Sequence, residues 1–250
     1  MVSAIGRGAE RTAGNETRGA APGMVRAMVK VIDKVELAEL AYAAVARSID
    51  PAAQLTRVEL LTGGISARST ALTIALPQAT ESVFVVRELS AETLQSDPHA
   101  AAHQFGLLRH LYDAGVRVPE PVLCDESRAS LPTTFLVMRH IAATPVYAPA
   151  RPSVYVAQLA AALAELHCKL RPVATALLRD LGIPHAAEHV AAFLAQPSVG
   201  PQHRFLDDAR ARLKAAWPPS ARNAECLLHG DYWSGNLLWH GDELVAIIDW

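Results

Sequence analysis

The spacing of apolar residues changes character along the chain, and each change marks an element. Leu37, Leu40, Ala44 and Val45 recur at helical spacing, which predicts a helix that Pro51 ends. Three strand-like runs follow. Residues 55–61 (LTRVELL) lead into the turn signal Thr62-Gly63-Gly64. Residues 70–76 (TALTIAL) alternate with period two, placing Leu72, Ile74 and Leu76 on one face, and residues 82–88 (SVFVVRE) are rich in β-branched side chains. Asp97-Pro98 reads as a helix start, with Asp97 as cap and Pro98 at the first helical position. That helix should bury Phe105, Leu108, Leu111 and Tyr112 and stop at Gly115. Further strands are expected at 121–124 and 133–140.

Beyond residue 145 the pattern turns to Ala- and Leu-rich helix. Val156, Leu159, Leu163, Leu166 and Leu170 form one apolar stripe over 153–170, and helices are expected at 184–195 and 203–217, the last closed by Pro218-Pro219. A short hairpin ends the chain, with Leu237–Trp239 and Leu244–Ile248 joined by a His-Gly-Asp turn. Residues 1–24 carry no hydrophobic period and no apolar stretch of signal-peptide type, so they are expected to be a disordered extension. Strand-rich residues followed by helix-rich residues predict an α+β fold in two lobes, an N-terminal one over 25–141 and a helical C-terminal one over 142–250.

Composition narrows the functions open to such a chain. Lys plus Arg total 23 and Asp plus Glu total 25, a balance that argues against a nucleic-acid partner. With 51% hydrophobic residues over 250 positions, the chain can bury a sizeable core, yet no apolar run reaches the roughly 18–20 residues of a membrane span. Cys124, Cys168 and Cys226 are widely separated and form no CxxC pair, so they read as small core residues in a reducing, cytoplasmic setting.

Chemistry concentrates near the end. His229-Gly230-Asp231 is followed by Asn236, and an apolar strand then runs into Asp249-Trp250. An aspartate on a loop, an amide five residues on and a strand-ending aspartate suit phosphoryl transfer: one carboxylate takes a hydroxyl proton, while the amide oxygen and second carboxylate hold Mg²⁺. A turn rich in Gly, Asp and Asn would be the ordinary alternative, but H-x-D-x-x-x-x-N is the spacing of kinase catalytic loops.

HGDYWSGNLLW followed by IIDW resembles the aminoglycoside phosphotransferase family, relatives of choline kinase with a protein kinase-like two-lobe fold. The resemblance runs from about residue 37 to 250. Leu61–Ser66 (LTGGIS) resembles the family's glycine turn, Val85-Val86-Arg87 the strand carrying a phosphate-binding cation, Phe135–Met138 the strand into the hinge, and Leu163–His167 (LAELH) the LAxLH helix. It implies ATP and Mg as cofactors and a small-molecule hydroxyl as substrate. Asp231 would be the catalytic base and Asn236 and Asp249 the metal ligands; Gly63, Gly64, Ser66, Arg87 and Met138 would bind nucleotide. Arg87 stands where many relatives have lysine, and His103-Gln104-Phe105 occupies the stretch expected to supply an acidic partner for that cation. Relatives continue with helices after the strand-ending aspartate, so the C-terminal lobe is expected to be incomplete.

Other readings of particular residues stay open at this point. His185, Glu188 and His189 match the H-x-x-E-H pattern of a zinc hydrolase, with exposed helix histidines as the plainer alternative. A non-catalytic fold relative that binds nucleotide without turnover is a further one. His229 is expected to brace its loop, His167 to sit at the core edge, and Trp233, Trp239 and Trp250 to serve mainly as packing.

Overall fold

A computed structural model of the chain describes residues 34–61, 67–77, 79–169, 175–195, 204–217 and 225–250. Gly63, Gly64 and Ser66, residues 1–24, Leu170 and Pro218-Pro219 therefore lie outside the described residues. In chain order the elements are α1 (Lys34–Ile49), β1 (Gln54–Leu61), β2 (Ala67–Leu76), β3 (Ala79–Leu89), α2 (Ala91–Ser96), α3 (Ala100–Asp113), β4 (Pro121–Asp125), β5 (Phe135–Arg139), β6 (Thr144–Pro145), α4 (Pro152–Lys169), α5 (Thr175–Asp180), α6 (Ala186–Ala195), α7 (Arg204–Ala216), β7 (Leu237–His240) and β8 (Glu243–Ile247). The expected α+β composition is present. An antiparallel sheet in the order β1-β2-β3-β5-β4 precedes a three-stranded sheet in the order β6-β7-β8.

Alternation along β2 and β3 sorts their side chains onto two faces. Leu72, Ile74, Phe84, Val86, Phe135 and Val137 pack against Tyr42, Val45 and Ala46 of α1. The opposite face carries Arg87, which pairs across the ladder with Leu136, while Val85 pairs with Met138. Leu136 and Met138 there join a second core with Leu108 and Leu111 of α3, Leu166 of α4, Leu227 and Trp250. This second core bonds the sheet to the elements that bear the catalytic-loop motif.

One polar network lies inside the α1 face. The Tyr42 hydroxyl donates to Glu88 Oε1 at 2.6 Å and lies 3.0 Å from Thr70 Oγ1, and Arg68 Nε approaches the same carboxylate oxygen at 3.8 Å. Burial, then the neighbouring Glu88 carboxylate, pushes the Tyr42 phenol above its usual range. Glu88 is 9% exposed, so removing its hydroxyl partner strands a buried acceptor. Tyr42→Phe is expected to cost about 1–3 kcal/mol, read as a lower urea midpoint with an unchanged slope.

Several sequence expectations shift. The start of α3 falls at Ala100 with His99 as its N-cap residue; Asp97 instead closes α2, accepts from the His99 amide at 3.0 Å and meets His103 Nδ1 at 2.7 Å. Phe105 is only partly buried and Tyr112 is 41% exposed, because α3 turns Ala101, Leu107, Leu108 and Leu111 inward. Leu40 and Val156 also face outward. In α4 the inward stripe is carried by Tyr155, Ala162 and Leu166. Cys168 is exposed, whereas burial pushes the half-buried Cys124 thiol up to about 11. Among the described residues no helix is long and apolar enough to cross a membrane.

Candidate active site

The loop at 229–236 is held by its own side chains. Gly230 has φ +85°, a left-handed conformation that lets the chain reverse between His229 and Asp231. The Asp231 amide donates to His229 Nδ1 at 3.2 Å, so Nδ1 is the acceptor and the proton sits on Nε2, which lies 3.0 Å from the Ile248 carbonyl. Burial moves the His229 pKa down, and the neutral ring agrees with this bonding. His229 therefore braces the loop, as its place in the motif suggests. Tyr232 donates its hydroxyl to the Leu159 carbonyl of α4 at 3.0 Å, fixing the loop from the other side.

Asn236 is the hub. It is buried, at 7% exposure, and its Nδ2 donates to both the Asp231 carbonyl and Asp231 Oδ2 at 2.9 Å. A tight turn from Ser234 to Asn236, with the Asn236 amide donating to the Trp233 carbonyl at 3.0 Å, sets this geometry. Because the amide nitrogen is committed to a carboxylate, the amide oxygen is the atom left for a cation. The Asn236 carbonyl also accepts from the Ile248 amide at 2.9 Å, which draws the end of β8, and with it Asp249, to the loop.

Asp249 has φ +63°, one of two non-glycine residues among the described ones with a positive φ. Aspartate tolerates this region better than most residues, and such outliers gather at functional sites. Its Oδ1 meets Arg87 Nη2 at 2.7 Å. A carboxylate does reach the β3 cation, but it comes from the strand-ending aspartate. Asp231 is exposed and bonds to Asn236 through Oδ2. Arg87, Asp231, Asn236 and Asp249 are thus brought together. Met138 lies on the Arg87 face of the sheet, partly buried in the core.

The zinc pattern does not assemble. His185 precedes α6 and accepts the Ala187 amide on Nδ1 at 3.2 Å, while Glu188 is held by Arg179 at 2.9 Å. Among the described residues no group of three or more His, Cys, Asp or Glu could hold a metal ion. By contrast, the Asn236 oxygen and the Asp249 carboxylate are hard donors of the kind magnesium prefers, and it needs only one or two carboxylates beside water and phosphate. A cavity of about 270 Å³ opens elsewhere, beside the hairpin turn at Gly241-Asp242, between Arg151, Tyr155 and Trp239.

Two contributions escape sequence reading. Arg117 supplies its carbonyl to the Ile247 amide at 2.7 Å, and Tyr147 approaches Trp233 with ring centroids 6.1 Å apart. Both are long-range contacts with no local signal.

A curated relative, acyl-CoA dehydrogenase family member 11 of Rattus norvegicus, is 26% identical over 179 residues. That alignment covers 67% of this chain and 23% of the relative, so the chain matches about a quarter of its length. The human protein of that name is 25% identical over 181 residues, with the same coverage. Among solved structures, a Ralstonia eutropha protein provisionally assigned as an aminoglycoside phosphotransferase superposes with a TM-score of 0.59 at 19% identity, covering 84% of this chain and 63% of that one. A macrolide 2′-phosphotransferase from Brachybacterium faecium gives 0.55 at 18%, covering 85% and 70%. These likenesses show the kinase-like two-lobe fold. The sequence profile of the Phosphotransferase enzyme family (APH) matches residues 58–250, a stretch that contains the whole Arg87, Asp231, Asn236 and Asp249 cluster, and the chain belongs to that family.

Proposed function

We propose that this protein is an ATP- and Mg²⁺-dependent phosphotransferase that phosphorylates a hydroxyl group of a small molecule. The observation that carries the reading is the Asn236 amide bonded to Asp231 while its backbone carbonyl holds the end of β8, so that one residue positions both carboxylates. Asp231 Oδ1 accepts the proton of the acceptor hydroxyl, whose oxygen bonds to the terminal phosphorus as the bond to the leaving diphosphate breaks. Asn236 Oδ1 and the Asp249 carboxylate would hold magnesium, which when bound neutralises charge on the nucleotide phosphates. Arg87 would contact those phosphates, exchanging its Asp249 partner for them; its fixed charge and planar fork suit that exchange. Gly63, Gly64 and Ser66 would supply amides and a hydroxyl, and Met138 would lie near the base. An amicoumacin kinase of this fold, with a TM-score of 0.54, was crystallised with AMP-PNP and Ca²⁺, which supports the nucleotide and the divalent ion.

The test is incubation with MgATP and a panel of hydroxyl compounds, following ADP release and the mass of the acceptor. Stoichiometric ADP and phosphorylated acceptor are expected. Nucleotide binding with no transfer to any acceptor would favour the non-catalytic reading.

A further inference from the structure

The packing role expected of the three tryptophans near the motif fails for one of them. Trp239 is 4% exposed and stacks on Tyr155, and Trp250 joins the core, but Trp233 is 53% exposed only two residues after Asp231. Its position is nonetheless defined. A Cβ built on Gly235 would lie 2.4 Å from Trp233 Cζ2 and 2.6 Å from Cη2, so the indole rests directly over the glycine backbone. Only glycine allows that approach. Backbone bonds from Trp233 to the Asp231 carbonyl and from Asn236 to the Trp233 carbonyl hold the ring's anchor in the catalytic loop. Tyr147, 67% exposed, stands beside it with the rings inclined at 44°. Leu228, just before His229, is also exposed.

Resting on the phosphotransferase reading, we propose that Trp233 and Tyr147 form an aromatic wall of the acceptor subsite. It selects hydroxyl compounds that present a ring or flat apolar face beside the reacting hydroxyl. A large aromatic ring fixed in place loses little freedom when a ligand stacks on it, so its contact is spent on binding.

The test compares the wild type with Trp233→Ala, Trp233→Phe and Gly235→Ala, using phenyl β-glucoside, erythromycin and kanamycin as probes. Intrinsic fluorescence measures binding and product mass measures transfer. Phenyl β-glucoside or erythromycin is expected to quench wild-type emission and not that of Trp233→Phe, whose indole is gone. In transfer, Trp233→Ala should raise KM for that probe about 5- to 150-fold, the range of single-ring stacking, with kcat and the KM for ATP little changed. Trp233→Phe should keep most of the affinity. Gly235→Ala, which displaces the indole without removing it, should resemble Trp233→Ala. Kanamycin turned over in preference, with KM unmoved by Trp233→Ala, would overturn the aromatic wall and leave the phosphotransferase reading standing. Absence of Trp233-dependent quenching by either ring-bearing probe would overturn it as well. Failure of MgATP to bind would instead remove the phosphotransferase reading itself.

Discussion

Asp231→Asn is expected to lower phosphoryl transfer by about 10²–10⁴-fold, the usual contribution of a positioned general base, while MgATP affinity stays close to that of the wild type. The separation follows from geometry. Asp231 is exposed and its Oδ2 is tied to Asn236 Nδ2, so under the proposed role the lost charge would be felt at the acceptor hydroxyl rather than at the nucleotide. An asparagine at 231 can still turn its oxygen to Asn236 Nδ2, and the loop bonds to His229 Nδ1 and from the Trp233 amide involve only the backbone of residue 231. The loop should therefore keep its shape. Single-turnover product formation beside nucleotide titration checks both halves, and wild-type turnover in the variant would refute the assignment.

Asp249→Asn is expected to have an effect of the same order, through a different step. If Asp249 holds the metal as proposed, losing that carboxylate removes several kcal/mol of transition-state stabilisation, on the order of 10³-fold in rate. Asparagine is the informative replacement because it adopts the left-handed backbone that Asp249 requires, at φ +63°, whereas alanine would add strain. The variant also releases Arg87 from its 2.7 Å partner, so nucleotide affinity without magnesium should hold or rise while the gain on adding magnesium shrinks. Calorimetric titration of ATP with and without the ion distinguishes these. An unchanged magnesium dependence would exclude Asp249 as a ligand. His185→Ala and His189→Ala serve as controls, since His185 bonds its own turn and, among the described residues, neither belongs to a group that could hold a metal.

Sequence reading succeeded where one local pattern dominates. Alternation in β2 placed Leu72 and Ile74 on the buried face because a strand allows only two orientations, and one of them faces α1. It failed where an apolar residue had a choice of environment. Leu40, Tyr112 and Val156 match helical stripes yet face outward, because the helix azimuth is decided by which neighbour it packs against. The short elements α2, α5 and β6 went unseen: six- and two-residue segments carry too little periodicity to register. Asp97 caps a turn that local chemistry could assign equally to the helix before it or after it, and α2 decided the matter.

The amino-acid order by itself determined the strand pattern and the phosphotransferase family, and it singled out Asp231, Asn236 and Asp249 as candidates, because spacing within 229–249 is local and the chemistry of hard oxygens is intrinsic to the residues. Tertiary structure decided who partners whom. Arg87 and Asp249 stand 162 positions apart in the chain and meet at 2.7 Å, and Tyr147 reaches Trp233 from a different segment. Likewise, a tryptophan in an apolar-rich motif reads as core until folding lays it over Gly235 at the surface. Such pairings depend on the path of the backbone through space, which no short window of sequence encodes.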